Sequence, residues 1–214
     1  MKGLVIKDIV SLFKNFKNIY ILIALILILV LSFTVFKDEY LLINILMLFV
    51  FINFISNLFV EDNNSGWLTF IKLNSDIRTP TLVISRYLSA ITFTITINLL
   101  FLILLIIYNL IYHDQTFKNI MIIIATTLIV SLIYIILVIP FIYLFYQNGV
   151  IVLILFLAIT TLTAKNFMNM DAFNNLFQLN NLLLLLICIL LVTLLFVLSF
   201  FLSVVILKSK YKDL

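Results

Sequence analysis

The sequence predicts an all-α polytopic membrane protein, with six transmembrane helices preceded by an amphipathic helix on the membrane surface. Of the 214 residues, 65% are hydrophobic and only 10% are charged, whereas soluble domains are about half apolar and about a quarter charged. The charged residues are also confined to short stretches between long apolar runs. We therefore expect a single multi-pass transmembrane domain over residues 1–214.

The N-terminal residues 1–17 are predicted to form an interfacial helix. A helix of this pattern lies along the membrane surface, with its apolar face in the lipid and its polar face toward the head groups. We expect it on the inner leaflet. Its apolar face would carry Val5, Ile9, Leu12, Phe13 and Phe16, and its polar face Lys7, Ser11 and Lys14.

Six apolar runs are long enough, or nearly so, to cross a bilayer, for which a helix needs about 20 residues. Pro140 cannot donate a hydrogen bond to the carbonyl of Ile136, so the fourth span should bend there, and Gly149 marks the turn to the fifth. The fifth span is short. The predicted spans are Ile19–Phe36, Tyr40–Val60, Tyr87–Tyr112, Ile120–Tyr146, Val150–Ala164 and Leu182–Leu207.

Residues 165–181, between the fifth and sixth spans, place apolar side chains at helical spacing opposite a set of asparagines. The segment is either a re-entrant element that completes the short fifth span or an extracellular loop with one surface helical turn. Of the 13 Lys and Arg residues, only Lys37, Lys118 and Lys165 fall outside when the N-terminus is cytoplasmic. Because basic residues near span ends stay in the cytoplasm, both termini are predicted to be cytoplasmic.

Several kinds of chemistry have no support in the sequence. The chain has no glycine-rich phosphate loop, so it should not hydrolyse nucleotides, and we expect no enzyme activity, no metal site and no cofactor. Every acidic residue, and His113, lies at or beyond a span end, which argues against an ion-coupled carrier. Basic residues flank apolar runs without forming a dense patch, so lipid head groups rather than nucleic acid are the expected partners.

Polar uncharged residues occur inside the second and third spans and allow two interpretations. They either hydrogen-bond one helix to its neighbour or line a substrate path between two copies of the protein. The candidates for the path are Asn44, Asn53, Asn57, Thr92, Thr96 and Asn98.

The longest predicted cytoplasmic connection is residues 61–86. It contains Trp67, Phe70 and Ile71 at the i, i+3 and i+4 positions of a short amphipathic helix, from about Gly66 to Leu73. Thr79-Pro80 should end any helix that reaches it, since the residue before proline is disfavoured in the α conformation.

This connection resembles the corresponding part of ABC-2 type permeases, the membrane subunits of one class of ATP-driven exporters. In that family an acidic residue ends the second span, a Trp follows, a segment like L-P-x-S-R comes next, and a basic residue with Tyr opens the third span. The chain has Glu61, Trp67, the segment from Leu73 to Arg78, and Arg86-Tyr87. It departs from the family at Asn74, where proline is usual.

The resemblance implies a permease subunit in a bacterial cell membrane, paired with a second permease, identical or homologous, and with a separate nucleotide-binding ATPase subunit that holds ATP and magnesium. The first cytoplasmic loop would contact that ATPase. The residues expected to couple the two subunits are Glu61, Trp67, Phe70, Lys72, Arg78 and Arg86.

In style the sequence is similar to small permeases of Gram-positive peptide exporters, such as the phenol-soluble modulin exporter and bacteriocin self-protection systems. This resemblance implies export of amphipathic or hydrophobic peptides, or of a lipid-like substrate, from the cell or the membrane. Two alternatives remain open: a non-transporting immunity or scaffold protein, and an ion-coupled carrier.

Overall fold

The computed structural model describes residues 1–15, 54–74, 77–112, 116–157 and 181–210, and all regular secondary structure in these ranges is helical. The helices are α1 (Lys2–Asn15), α2 (54–64), α3 (Trp67–Asn74), α4 (Thr79–Tyr112), α5 (Phe117–Phe145), α6 (149–157) and α7 (Asn181–Lys210). The ranges of α2 and α6 cover only the described parts of these helices. A 3₁₀ turn at Tyr146–Asn148 joins α5 to α6.

Three of these helices have segments long and apolar enough to cross a membrane: Thr79–Ile107, Phe117–Phe145 and Ile189–Lys210. They correspond to the third, fourth and sixth predicted spans. The first span, most of the second, the end of the fifth and most of the 165–181 segment lie outside the described residues. The all-helical class is confirmed for the described part of the chain, and the count of six stays a prediction.

Helix α1 forms as predicted, but the face that meets the protein also includes a charged residue. It packs along α4 through Asp8 and Leu12, which are buried, while Ile6 and Val10 are more than 60% exposed. Lys7 and Ser11, predicted to face away from the apolar contacts, are only half-exposed. The apolar pattern could not show this face, because Asp8 is buried against charged partners on other helices.

The predicted connection at residues 61–86 is mostly helical. The short amphipathic helix is confirmed as α3, and Gly66 before it adopts φ +64°, which glycine tolerates best. Helix α4 begins at Thr79, well before Tyr87, with Pro80 in its first turn, where no intrahelical donor is needed. Thr79-Pro80 therefore separates α3 from α4, as expected, and also starts the third predicted span.

The chain folds into two compact units, Met1–Ile135 and Ile136–Leu214. In the first unit, α4 and the beginning of α5 form an antiparallel pair, with Leu105 packed against Ile120 and Ile123. In the second unit, the end of α5 lies beside α7 and runs in the same direction, since Ser199 contacts Ile136 and Lys210 contacts Tyr143.

Candidate functional site

Four charged side chains from three helices meet near the beginning of α4. We call them the charge cluster: Lys7 and Asp8 of α1, Asp62 of α2 and Arg86 of α4. The Arg86 guanidinium lies 2.7 Å from Asp8 Oδ1 through Nη1 and contacts the Asp62 carboxylate through Nη2. The Lys7 ammonium also contacts Asp62 and lies 3.8 Å from Asp8. The two positive and two negative charges of the cluster thus neutralise one another.

The charge cluster is largely shielded from solvent. The exposed side-chain fractions of Asp8, Asp62 and Arg86 are 2%, 5% and 6%, against 36% for Lys7. Buried charges are costly unless they are paired and hydrogen-bonded. Ser89 of α4 donates to Asp8 Oδ2 at 3.2 Å, so the carboxylate of α1 has two partners on α4. The cluster consequently joins the middle of α1 to the end of α2 and the first turns of α4.

The pKa values of the two α1 residues depend on this environment. Burial raises the pKa of Asp8, and the nearby Arg86 and Lys7 cations oppose that shift. Burial, followed by repulsion from Arg86, lowers the pKa of Lys7 to about 8, while Asp8 and Glu61 act in the opposite direction. Because Arg86 acts on both groups, its loss would alter the protonation of Asp8 and Lys7.

The aromatic side chains of α3 lie next to the charge cluster. The Lys7 ammonium is 4.6 Å from the centroid of the Trp67 ring, a distance at which a cation and an aromatic face attract. Trp67 stacks on Phe70, with 6.2 Å between centroids and 20° between planes, and Phe70 is 58% exposed. Lys7 therefore connects the half-buried Trp67, and through it the exposed Phe70, to the buried charges.

An open pocket lies beside Lys7 at the junction of α1, α2 and α3. Polar residues make up most of its lining, and Trp67 supplies an aromatic wall. Ser11 of α1 also donates a hydrogen bond to Glu61, which adds a second polar contact between α1 and α2. The residues that line the pocket are Lys7, Glu61, Asp62, Asn64, Ser65 and Trp67.

The predicted coupling residues fall into different environments. Glu61 and Phe70 are exposed, and Trp67 is half-buried. Arg78 is exposed just before α4, where its carbonyl accepts hydrogen bonds from Thr81 and Leu82. Arg86 is buried in the charge cluster, so any part it has in coupling would be exerted through Asp8 and Asp62. The Lys72 side chain lies outside the described residues, and the coupling role of the whole set stays a prediction.

Sequence reasoning missed Asp8 and Asp62 and placed Lys7 on the polar face of an isolated helix. Both carboxylates do lie outside the predicted spans, as expected, yet they are buried. One signal was present in the sequence, because Asp8 is the only acidic residue of α1. It also lies four residues before Leu12, on the same helical face.

Asn98, one of the predicted path residues, lies between α4 and α5 and is 1% exposed. Its Nδ2 donates to the Thr94 carbonyl at 2.9 Å and lies 3.3 Å from Ser131 Oγ, while Thr127 donates to its Oδ1 at 3.3 Å. This is the geometry of a helix-to-helix contact, the first of the two interpretations of the polar residues.

The other polar residues of the predicted path differ from Asn98. Asn57 and Thr92 are exposed, and Thr96 is half-buried. The hydroxyls of Thr92 and Thr96 donate to the carbonyls of Leu88 and Thr92 one turn earlier, at 2.8 and 2.9 Å. The two threonines therefore satisfy their own donors. Asn44 and Asn53 lie outside the described residues.

Comparison with known proteins assigns the family. The family model described as "ABC-2 family transporter protein" matches residues 3–208, which is nearly the whole chain. The chain belongs to this family and is a multi-pass membrane subunit of an ABC transporter, which works with an ATP-binding subunit. No curated protein and no solved structure matches the chain.

Proposed function

We propose that the chain is the permease subunit of an exporter that moves amphipathic or hydrophobic peptides out of the cell or the membrane. A separate ATPase subunit supplies the energy, and a second permease, identical or homologous, completes the translocation path. The charge cluster is the observation that carries this proposal, since it joins the α3 surface to α1 and to the first transmembrane segment described, α4.

Energy would enter at the Trp67–Phe70 pair of α3, of which Phe70 is exposed. A displacement of Trp67 would disturb Lys7, because the Lys7 ammonium lies over the Trp67 ring. Lys7 is in turn paired with Asp62. Asp62 is paired in turn with Arg86 of α4. Because Asp62 and Arg86 are buried and all three charges are paired, separating them is costly. Movement of α3 would therefore be transmitted to α1 and α4 together.

The cargo class is supported by the chemistry of the spans. In the three described spanning segments, charged residues lie near the ends: Arg86, Lys118, Lys208 and Lys210. Between these ends the three helices present aliphatic and aromatic side chains with occasional hydroxyls, such as that of Thr92. An apolar surface with scattered hydroxyls suits a peptide with one apolar and one polar face.

Co-purification with the cognate ATPase tests the proposed coupling surface. Trp67→Ala or Phe70→Ala should weaken the complex about tenfold or more, as expected when an aromatic residue at the centre of an interface is lost. Arg78→Glu should weaken it as well. Phe117→Ala is the matched control, because Phe117 is also an exposed aromatic residue, at 68%, but lies at the beginning of α5. An unchanged complex in the α3 variants would refute this coupling surface.

Reconstitution tests the cargo. Vesicles that contain the permease and its ATPase should hydrolyse ATP faster when an amphipathic peptide is added, and should move a labelled peptide only when ATP is supplied. Transport driven by a proton gradient without ATP would instead indicate an ion-coupled carrier. Peptide binding without ATP-dependent movement, together with resistance of cells to the peptide, would indicate an immunity protein.

A further inference from the structure

The end of helix α5 has three local irregularities. Pro140 has no N–H, so the carbonyl of Ile136 lacks its usual helical donor. Tyr146, just after the helix, adopts φ 50°, which is uncommon for a residue other than glycine. At Gly149, a Cβ atom would lie 2.6 Å from the Cα of Ile142, so α6 starts in direct backbone contact with α5. We call residues 136–149 the bent segment.

Helix α7 supplies a hydrogen bond to the carbonyl that Pro140 leaves without a donor. Ser199 Oγ donates to the Ile136 carbonyl, and Ser199 is only 5% exposed. No water is available in the hydrocarbon core of a bilayer, and a side chain from a neighbouring helix is one of the few donors that can replace the lost bond. The contact thus compensates directly for the proline.

The C-terminal end of α7 makes a second contact with the bent segment. Lys210 Nζ donates to the carbonyls of Tyr143 and Leu144, the latter at 3.2 Å. The last carbonyls of a helix have no intrahelical donor, and a cation is favourable at this end of the helix dipole. The same ammonium lies 3.7 Å from the centroid of the Tyr146 ring, so it also contacts the residue with positive φ.

We infer that α7 is a strap that holds the bent segment in its observed conformation, with Ser199 and Lys210 as its positioning residues. Ser199 replaces the bond lost at Pro140, and Lys210 closes the end of α5. Because these contacts are made at two of the three irregular points, losing either one loosens the turn that connects α5 to α6, while the earlier turns of α5 keep their own hydrogen bonds. The inference does not depend on the cargo or on the ATPase.

A double-mutant cycle with Pro140 tests the role of Ser199. Ser199→Ala should lower the melting temperature of the purified protein in detergent by about 2–4 °C, the shift expected for one buried hydrogen bond in a chain of this size. In a Pro140→Ala background the loss should be less than half as large, because the alanine introduced at position 140 restores an N–H for the Ile136 carbonyl.

Ser203→Ala is the matched control, since Ser203 is fully buried one turn further along the same helix. Its effect should be the same in both backgrounds. The assignment of Ser199 would be overturned if Ser199→Ala lowered the melting temperature equally in both backgrounds. It would also be overturned if Ser199→Ala had no effect on the melting temperature of the protein that keeps Pro140.

Hydrogen exchange tests Lys210 independently. Lys210→Met should speed amide exchange in residues 141–149 about fivefold, since the loss of one stabilising contact changes a local opening equilibrium by roughly that factor. Lys210→Arg should retain protection because it keeps a cation and several donors. Lys208→Met, an exposed neighbour, is the control and should have no effect. Unchanged exchange in Lys210→Met would overturn the strap.

Discussion

Arg86 shows how a single side chain connects three helices. Its forked guanidinium reaches Asp8 of α1 and Asp62 of α2 at once, which a lysine ammonium could not do with the same geometry. The ring of Phe59 lies 5.3 Å from its Cζ and covers one side of the guanidinium. A buried ion pair of this kind is weak evidence for net stability. Removing only one partner is nevertheless costly, because the other charge stays buried without a counter-charge.

Replacing Arg86 with alanine should lower the free energy of unfolding by about 3–5 kcal/mol, because Asp8 and Asp62 would remain buried without their main counter-charge. Arg86→Lys should fall between the alanine variant and the wild type, since it keeps the charge but not the fork. Chemical unfolding in detergent measures the effect.

Arg78→Ala is the control for Arg86→Ala. Arg78 is exposed just before α4, so its loss should change stability by less than about 0.5 kcal/mol. Equal effects of the two alanine variants would show that burial in the charge cluster contributes nothing beyond the loss of a basic residue.

The spacing of Trp67 and Phe70 indicated one helical face, and the structure places them together on α3. Their selection as coupling residues came from the family resemblance, and that role stays a prediction. Asp8 could not be selected from spacing, because its burial depends on Arg86, which lies 78 residues further along the sequence (86 − 8). Periodicity describes one helix at a time and contains no information about such a partner.

The helical elements themselves follow from local sequence. The amphipathic spacing predicted both α1 and α3, and Pro80 correctly marked a boundary between helices. What local sequence did not predict is how far the spanning helices continue beyond the apolar runs, as α4 does from Tyr87 back to Thr79. These extra turns contain Thr79, Thr81 and Ser85 and so resemble a loop, and they end at Arg86, which contacts Asp8 of α1.

The junction between α5 and α6 depends on the absence of a side chain at Gly149. Gly149→Ala should lower the free energy of unfolding by about 1–3 kcal/mol, because the new Cβ atom would lie 2.6 Å from backbone atoms of Phe141 and Ile142. Backbone cannot move aside as a flexible side chain can, so one of the helices has to shift.

Gly3→Ala is the control for this substitution, since no atom lies within 4 Å of a Cβ placed at Gly3. Thermal unfolding in detergent should leave that variant close to the wild type. If Gly149→Ala were equally well tolerated, α6 would not start in close contact with α5.

For the whole molecule, the charge distribution predicts how the chain lies in the membrane. Cysteines introduced at Lys2, Lys118 and Lys208, in a Cys188→Ala background, should report it through a membrane-impermeant maleimide. Lys118→Cys should react in intact cells, and Lys2→Cys and Lys208→Cys only after permeabilisation, because basic residues are retained in the cytoplasm. The opposite labelling pattern would contradict cytoplasmic termini.

The sequence alone determined that this protein is a membrane protein, that it is helical and that it belongs to its family. Composition, the length of the apolar runs and a family pattern over residues 3–208 are all properties of the linear sequence. Only the tertiary structure decided which partner each polar group has. Asp8 and Asp62 pair with Arg86, Asn98 bonds between two helices, and the Ile136 carbonyl accepts a hydrogen bond from Ser199. Away from water, a polar group is stable only beside a matching one, and that match depends on packing in three dimensions.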